Sequence, residues 1–221
     1  MNEFMDMFSS SDPANVSTSV KLILLLTVFS LAPGILILMT SFTRIIIVLS
    51  FVRTSLATQQ MPPNQVLIGI ALFLTFFIMA PTFNEVYEEG LQPLFNEEIT
   101  LDEAYDRASE PIKSFMANHT RQKDLALFLN YAQIETPESI NDIPMTAMVP
   151  AFAISELKTA FQMGFMIFIP FLIIDMAVAS ILMSMGMMML PPVMISLPFK
   201  ILLFVMVDGW YLITHSLLSG F

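Results

Sequence analysis

Two ionisable residues stand alone in the last third of the chain: from Thr159 to Val207 the only charges are Asp175 and Lys200. A charge in so apolar a stretch is costly and is normally paired or turned toward a polar interior. The point midway between the two lies between Met187 and Met188. A helical hairpin turning over Gly186–Met189 therefore brings both to the same depth, within one hairpin or between neighbouring copies. Such a pair can fix helix register, and a proton relay is the other chemistry open to it.

The apex of that hairpin reads Met183-Ser-Met-Gly-Met-Met-Met189, five methionines in seven residues. Unbranched, flexible thioethers close around irregular shapes without a fixed geometry. A ring of such loops from several subunits makes a deformable seal that stops ions and yields to a passing chain. Copper(I) binding and plain hydrophobic packing are the rival readings of the same residues. The two histidines, His119 and His215, lie far from the cluster in sequence, and there is no cysteine.

Other constellations are thin. Glu156 and Lys158 flank the start of an apolar helix and read as an interfacial pair, while Arg44 and Arg53 flank the first turn between apolar helices. Asn118-His-Thr120 fits a glycosylation sequon. No glycine-rich phosphate loop, His-Glu-x-x-His motif or nucleophile elbow occurs, so neither an enzyme nor a bound cofactor or metal is expected.

The elements that position these residues are apolar runs. Leu22–Met39 is an uncharged stretch of 18 residues behind Lys21, long enough for a membrane-spanning helix. Acidic residues Glu3, Asp6 and Asp12 precede it and no small-residue cleavage pattern follows, so it reads as retained. Helices are expected at about 18–52, 64–82, 151–185 and 193–218. Val66–Ala80, a run of 15 residues between Pro62-Pro63 and Pro81, spans only about 22 Å of a hydrocarbon core about 30 Å thick. Pro33-Gly34, Pro170, Pro191-Pro192 and Pro198 are expected to interrupt or bound the helices. Backbone groups freed at such breaks must face protein or a water-filled cavity.

Between the two apolar blocks lies a different kind of segment. From Pro81 to Asp142 nine Glu and four Asp face four bases, a net charge of -9, against -10 for the whole chain. Leu101, Tyr105, Ala108, Ile112, Phe115 and Met116 recur there at spacings of three and four, which predicts an amphipathic helix, with another at 124–131. The expected organisation is a polar acidic tail over 1–19, an apolar hairpin over 20–81, an acidic external helical domain over 82–147 and a second apolar hairpin over 148–221. Arg44 and Arg53 place the first turn on the cytoplasmic side, with tail and acidic domain outward. The fold class is all-α membrane protein, with about four apolar, partly broken helices or hairpins.

Only 13% of residues are charged, about half the usual share, which argues against an ordinary soluble domain, a disordered chain or a coiled coil. Bases are few and scattered, which argues against a nucleic-acid partner. A secondary transporter with broken helices is the alternative reading, but no internal repeat is apparent.

Several stretches together are specific. TSFTRIIIVLS at Thr40–Ser50, QQMPPN at Gln59–Asn64, LFLTFF at Leu72–Phe77, PAFAISELKTAF at Pro150–Phe161, IPFLIID at Ile169–Asp175, MGMMML at Met185–Leu190, SLPFK at Ser196–Lys200 and VDGW at Val207–Trp210 closely resemble the FliP/SctR family of type III secretion export-gate proteins. The likeness runs from about Ser30 to Leu217. The resemblance implies a non-enzymatic, pore-forming subunit of the flagellar protein export gate in the bacterial cell membrane, multi-pass, within the basal body. It implies several copies assembled with FliQ and FliR, near FlhA and FlhB, passing unfolded flagellar proteins. It implies that Met187, Met188 and Met189 form the pore gasket and that Asp175 and Lys200 form a salt bridge needed for assembly. Many family members carry a cleavable N-terminal signal, which this chain does not show.

Overall fold

A computed structural model describes residues 26–27, 30–58, 60–134, 137, 139–187 and 189–221. The acidic tail, residues 22–25, 28 and 29 of the first apolar run, and Met188 lie outside the described residues. The chain divides into two units, Met1–Ile37 and Leu38–Phe221. In the first unit the described stretch is helical, with Leu31, Ile35 and Ile37 exposed. This helix, α1 (Ser30–Met39), runs through Pro33-Gly34 without a break. The expected interruption comes instead at Thr40–Ser41, both buried.

The second unit is built from helices: α2 (Phe42–Ser55), α3 (Asn64–Phe95), α4 (Leu101–His119), α5 (Gln122–Tyr131), α6 (Met145–Ser184), α7 (Pro192–Met206) and α8 (Gly209–Leu218). Thr100 opens α4 with a reciprocal cap, its hydroxyl accepting from the Glu103 N–H while the Glu103 carboxylate accepts from the Thr100 N–H. That satisfies donors which otherwise have no helical partner.

Two of these helices overturn the expectation of short spanners. The helix expected to end near 82 passes Pro81 and continues to Phe95, its chain widening into a π turn over Val86–Leu91. At 32 residues α3 is about 48 Å long, and α6, at 40 residues, about 60 Å, so each exceeds a hydrocarbon core. Pro150, Pro170 and Pro198 also sit inside helices. By contrast, Pro191 and Pro192 bound α7, where a proline's missing N–H costs nothing. The last expected helix is broken: α7 and α8 meet at a 61° bend, where Asp208 takes a left-handed backbone (φ 50°).

The main core gathers Ile45, Val48, Leu49 and Val52 of α2, Leu67 and Ala71 of α3, Ala160 and Phe171 of α6, Phe204 of α7 and Leu217 of α8. The close approach of α2 and α6 depends on Gly164, since a Cβ there would lie 2.4 Å from the Phe51 ring. A second core joins Met116 of α4 and Ile143 to Met148 and Phe152 at the start of α6. Burial along α6 is uneven: ten residues are buried, and only Phe171 and Leu182 of these lie beyond Gly164.

Candidate functional site

The hairpin of α6 and α7 carries the residues that sequence singles out. At its apex Gly186 has φ 73°, and the Met187 N–H donates to the Leu182 carbonyl (3.0 Å) while the Gly186 N–H donates to that of Met183 (3.0 Å). This is the paired closure that ends a helix on a left-handed residue, which only glycine adopts at little cost. The turn leaves Met183, Met185, Met187 and Met189 exposed, Met189 almost completely (98%). Of the three expected gasket residues, Met188 lies outside the described residues.

Behind the apex, Lys200 Nζ donates to Asp175 Oδ2 at 2.6 Å. Asp175 lies nine residues before the end of α6 and Lys200 eight after the start of α7, about 14 and 12 Å from the turn. Ser196, one helical turn before Lys200, donates its hydroxyl to the other carboxylate oxygen, Asp175 Oδ1. Sequence reasoning passed over Ser196, although its i,i+4 spacing from Lys200 puts both on one face of an otherwise apolar helix. Lys200 is buried, while the Asp175 side chain stays 20% exposed.

The charges expected at interfaces are placed differently. Glu156 is fully buried, and its partner is Arg44 rather than Lys158. The guanidinium holds both carboxylate oxygens, with Nε donating to Oε2 at 2.7 Å and Nη2 to Oε1. The reason is periodicity: Lys158, two residues on, points away from the core face and is exposed. Arg44 also donates through Nη1 to the Gly220 carbonyl (2.7 Å), and its Cζ lies 3.8 Å over the Phe221 ring. Arg53 reaches Asn64 Oδ1 at the start of α3, linking α2 to the helix that follows it.

A further polar joint escaped the sequence reading. Ser155 donates to Asp124 Oδ2 (2.7 Å), Arg121 Nη2 meets the same oxygen at 2.5 Å, and the Arg121 N–H donates to Ser155 Oγ (3.1 Å). Burial pushes the Asp124 carboxyl up. Hydrogen bonds from Ser155 and Arg121 and the charges of Arg121 and Lys123 outweigh it and hold the group below its ordinary value. This joint fastens α5, in the acidic segment, to α6.

Much apolar surface is left uncovered. The most apolar 18-residue window of α6 has a mean hydropathy of 2.5 with only 11% buried, and that of α3 2.4 with 28%. Soluble monomers do not present apolar faces of this extent. Two helix pairs, α1 with α2 and α7 with α8, also reach spanning length when each pair is taken together. Long apolar helices, helix pairs broken midway and buried ion pairs between helices define an all-α membrane protein.

Comparison with known proteins narrows the class to a lineage. A model of the FliP family matches residues 25–217, and the chain belongs to that family. The flagellar biosynthetic protein FliP of Bacillus subtilis (strain 168) is 79% identical over 221 residues, covering all of both chains. FliP of Caulobacter vibrioides is 54% identical over 202 residues, 91% of this chain and 76% of that one. FliP of Aquifex aeolicus is 49% identical over 209 residues, 94% and 87% of the two chains.

Proposed function

We propose that this chain is a pore-forming subunit of the flagellar protein export gate. In this reading several copies assemble with FliQ and FliR, beside FlhA and FlhB, in the cell membrane at the flagellar basal body. Unfolded flagellar proteins pass between them. The observation that carries the reading is the hairpin, which pairs an exposed methionine apex with apolar helix faces that one chain leaves bare. Membership of the FliP family supports the assignment to flagellar biosynthesis.

The chemistry is mechanical rather than catalytic. The Asp175–Lys200 pair sets the two arms in register and so fixes the height of the apex. Copies arranged around an axis place Met187, Met188 and Met189 toward one another, and their thioethers adapt to a passing chain and close behind it. Energy for transport comes from partners. The segment holding α4 and α5 lies on the outer side, and its acidic surface keeps that part of the assembly hydrated.

Replacing Met187, Met188 and Met189 together by alanine in the assembled gate is expected to raise ion conductance while leaving some secretion. Unchanged conductance in a fully assembled gate overturns the gasket. A reporter inserted between 95 and 140 is expected to register as external, and a cytoplasmic signal overturns the orientation.

A further inference from the structure

Arg44 reaches further than an ion pair requires. Of its five N–H donors two go to Glu156 and a third to the Gly220 carbonyl at 2.7 Å, while the face of the guanidinium lies on the Phe221 ring. The fit at Gly220 is close, since a Cβ there would stand 3.3 Å from Arg44 Nη1. The Phe221 ring is held from its other sides by Phe115 (ring centroids 6.0 Å apart, 14° between planes) and by His119 (5.1 Å), both of α4. The far end of α8 is thus gripped by α2 and α4.

Its near end is a break. The 61° bend at Val207–Asp208 rests on a non-glycine residue in a left-handed conformation, and the Asp208 side chain caps nothing there. Holding such a residue at positive φ requires support from elsewhere. Between α8, α6 and α7 runs an apolar groove of about 580 Å³, lined among others by Ile167, Phe171, Phe204, Leu212 and Ile213. One wall of that groove is α8 itself.

We infer that α8 is a strap, hinged at Val207–Asp208 and latched at its far end by Arg44, and that Arg44 is the positioning residue that keeps the strap folded over the groove. An arginine is needed because a lysine ammonium lacks the planar fork that serves two acceptors at once. When the latch opens, α8 swings toward the axis of α7. A helix of 10 residues is about 15 Å long, so a 61° swing carries its far end about 15 Å.

The chain has no cysteine, so two spin labels can be placed cleanly. Labels at Leu157→Cys and Ser216→Cys, both exposed positions, report the distance from α6 to the far end of α8 in the full chain in nanodiscs. The unsubstituted latch is expected to give one narrow distance. Phe221→Ala and Arg44→Lys are expected to broaden it toward distances longer by up to about 15 Å, with helix content unchanged. Phe221→Trp, which keeps a ring for the cation, is expected to retain the narrow distance, and Phe221→Leu to lose it. An unchanged distance in both Phe221→Ala and Arg44→Lys overturns the latch. A leucine that holds α8 as well as tryptophan does overturns the part assigned to Arg44.

Discussion

Two buried ion pairs share helix α6, 19 residues or about 28 Å apart, and they are built to opposite ends. Arg44–Glu156 is closed on itself: the side chains are 5% and 0% exposed, both carboxylate oxygens are taken, and a carbonyl and an aromatic ring fill the rest of the guanidinium. Asp175–Lys200 has one sealed partner and one open one, with Lys200 2% and Asp175 20% exposed beside the bare apolar side chains of Ile173 and Met176. The difference follows from what covers the helix. The first half of α6 is packed by α2, α4 and α5, whereas beyond Gly164 only Phe171 and Leu182 are buried. The same chemistry therefore serves as an internal joint at one end and as an arm with a free flank at the other.

The largest effect that separates the two pairs is expected at the closed one. Glu156→Ala leaves Arg44 buried without a counter-charge, a loss of about 3–5 kcal/mol, read as failure to accumulate folded protein or a large drop in thermal stability in detergent. Reversal at Asp175 sets two cations together at the open pair and is expected to cost about 3 kcal/mol, the lower end of that range, because Asp175 keeps some water. Its main readout is loss of assembled complex while the single chain still folds. Exchanging the two residues, Asp175→Lys with Lys200→Asp, is expected to restore assembly in part, and no rescue argues against a direct pair.

Smaller changes sharpen the contrast between the packed and bare halves of α6. Gly164→Val drives a side chain into the Phe51 ring and is expected to cost about 1–3 kcal/mol in thermal stability. A comparable substitution at exposed Ile173 is expected to leave the isolated chain unaffected. The smallest effect concerns acid. Because the folded Asp124 carboxyl sits below its ordinary value of 3.8, its contribution is present above that value and lost as pH falls through the folded one. Asp124→Asn is expected to flatten the acid side of the stability profile, and an unaltered slope shows that the joint to Ser155 carries no weight.

Much of this was legible in composition and spacing. The apolar runs, the three- and four-residue periodicity that becomes α4, and the placement of Asp175 and Lys200 about one midpoint follow from helical geometry, which is local. Helix lengths were not legible in the same way. Pro81 reads as a stop, yet α3 passes it, and Val86–Leu91 absorbs the irregularity as a π turn against α4. The break at Thr40–Ser41 and the bend at Asp208 carry no proline at all. Partner choice was least legible: Lys158, two residues from Glu156, is the obvious guess, and Arg44, 112 residues away, is the answer.

The amino-acid sequence decided the class, the apolar faces and the symmetric hairpin, because hydropathy and helical period act within a few residues and need no partner to be read. The tertiary structure decided which charges meet, where helices run on past a proline and which half of α6 stays bare. Those outcomes rest on contacts between helices far apart along the chain. A buried arginine selects the acceptors that enclose it in space, and nothing in its neighbours along the chain names them.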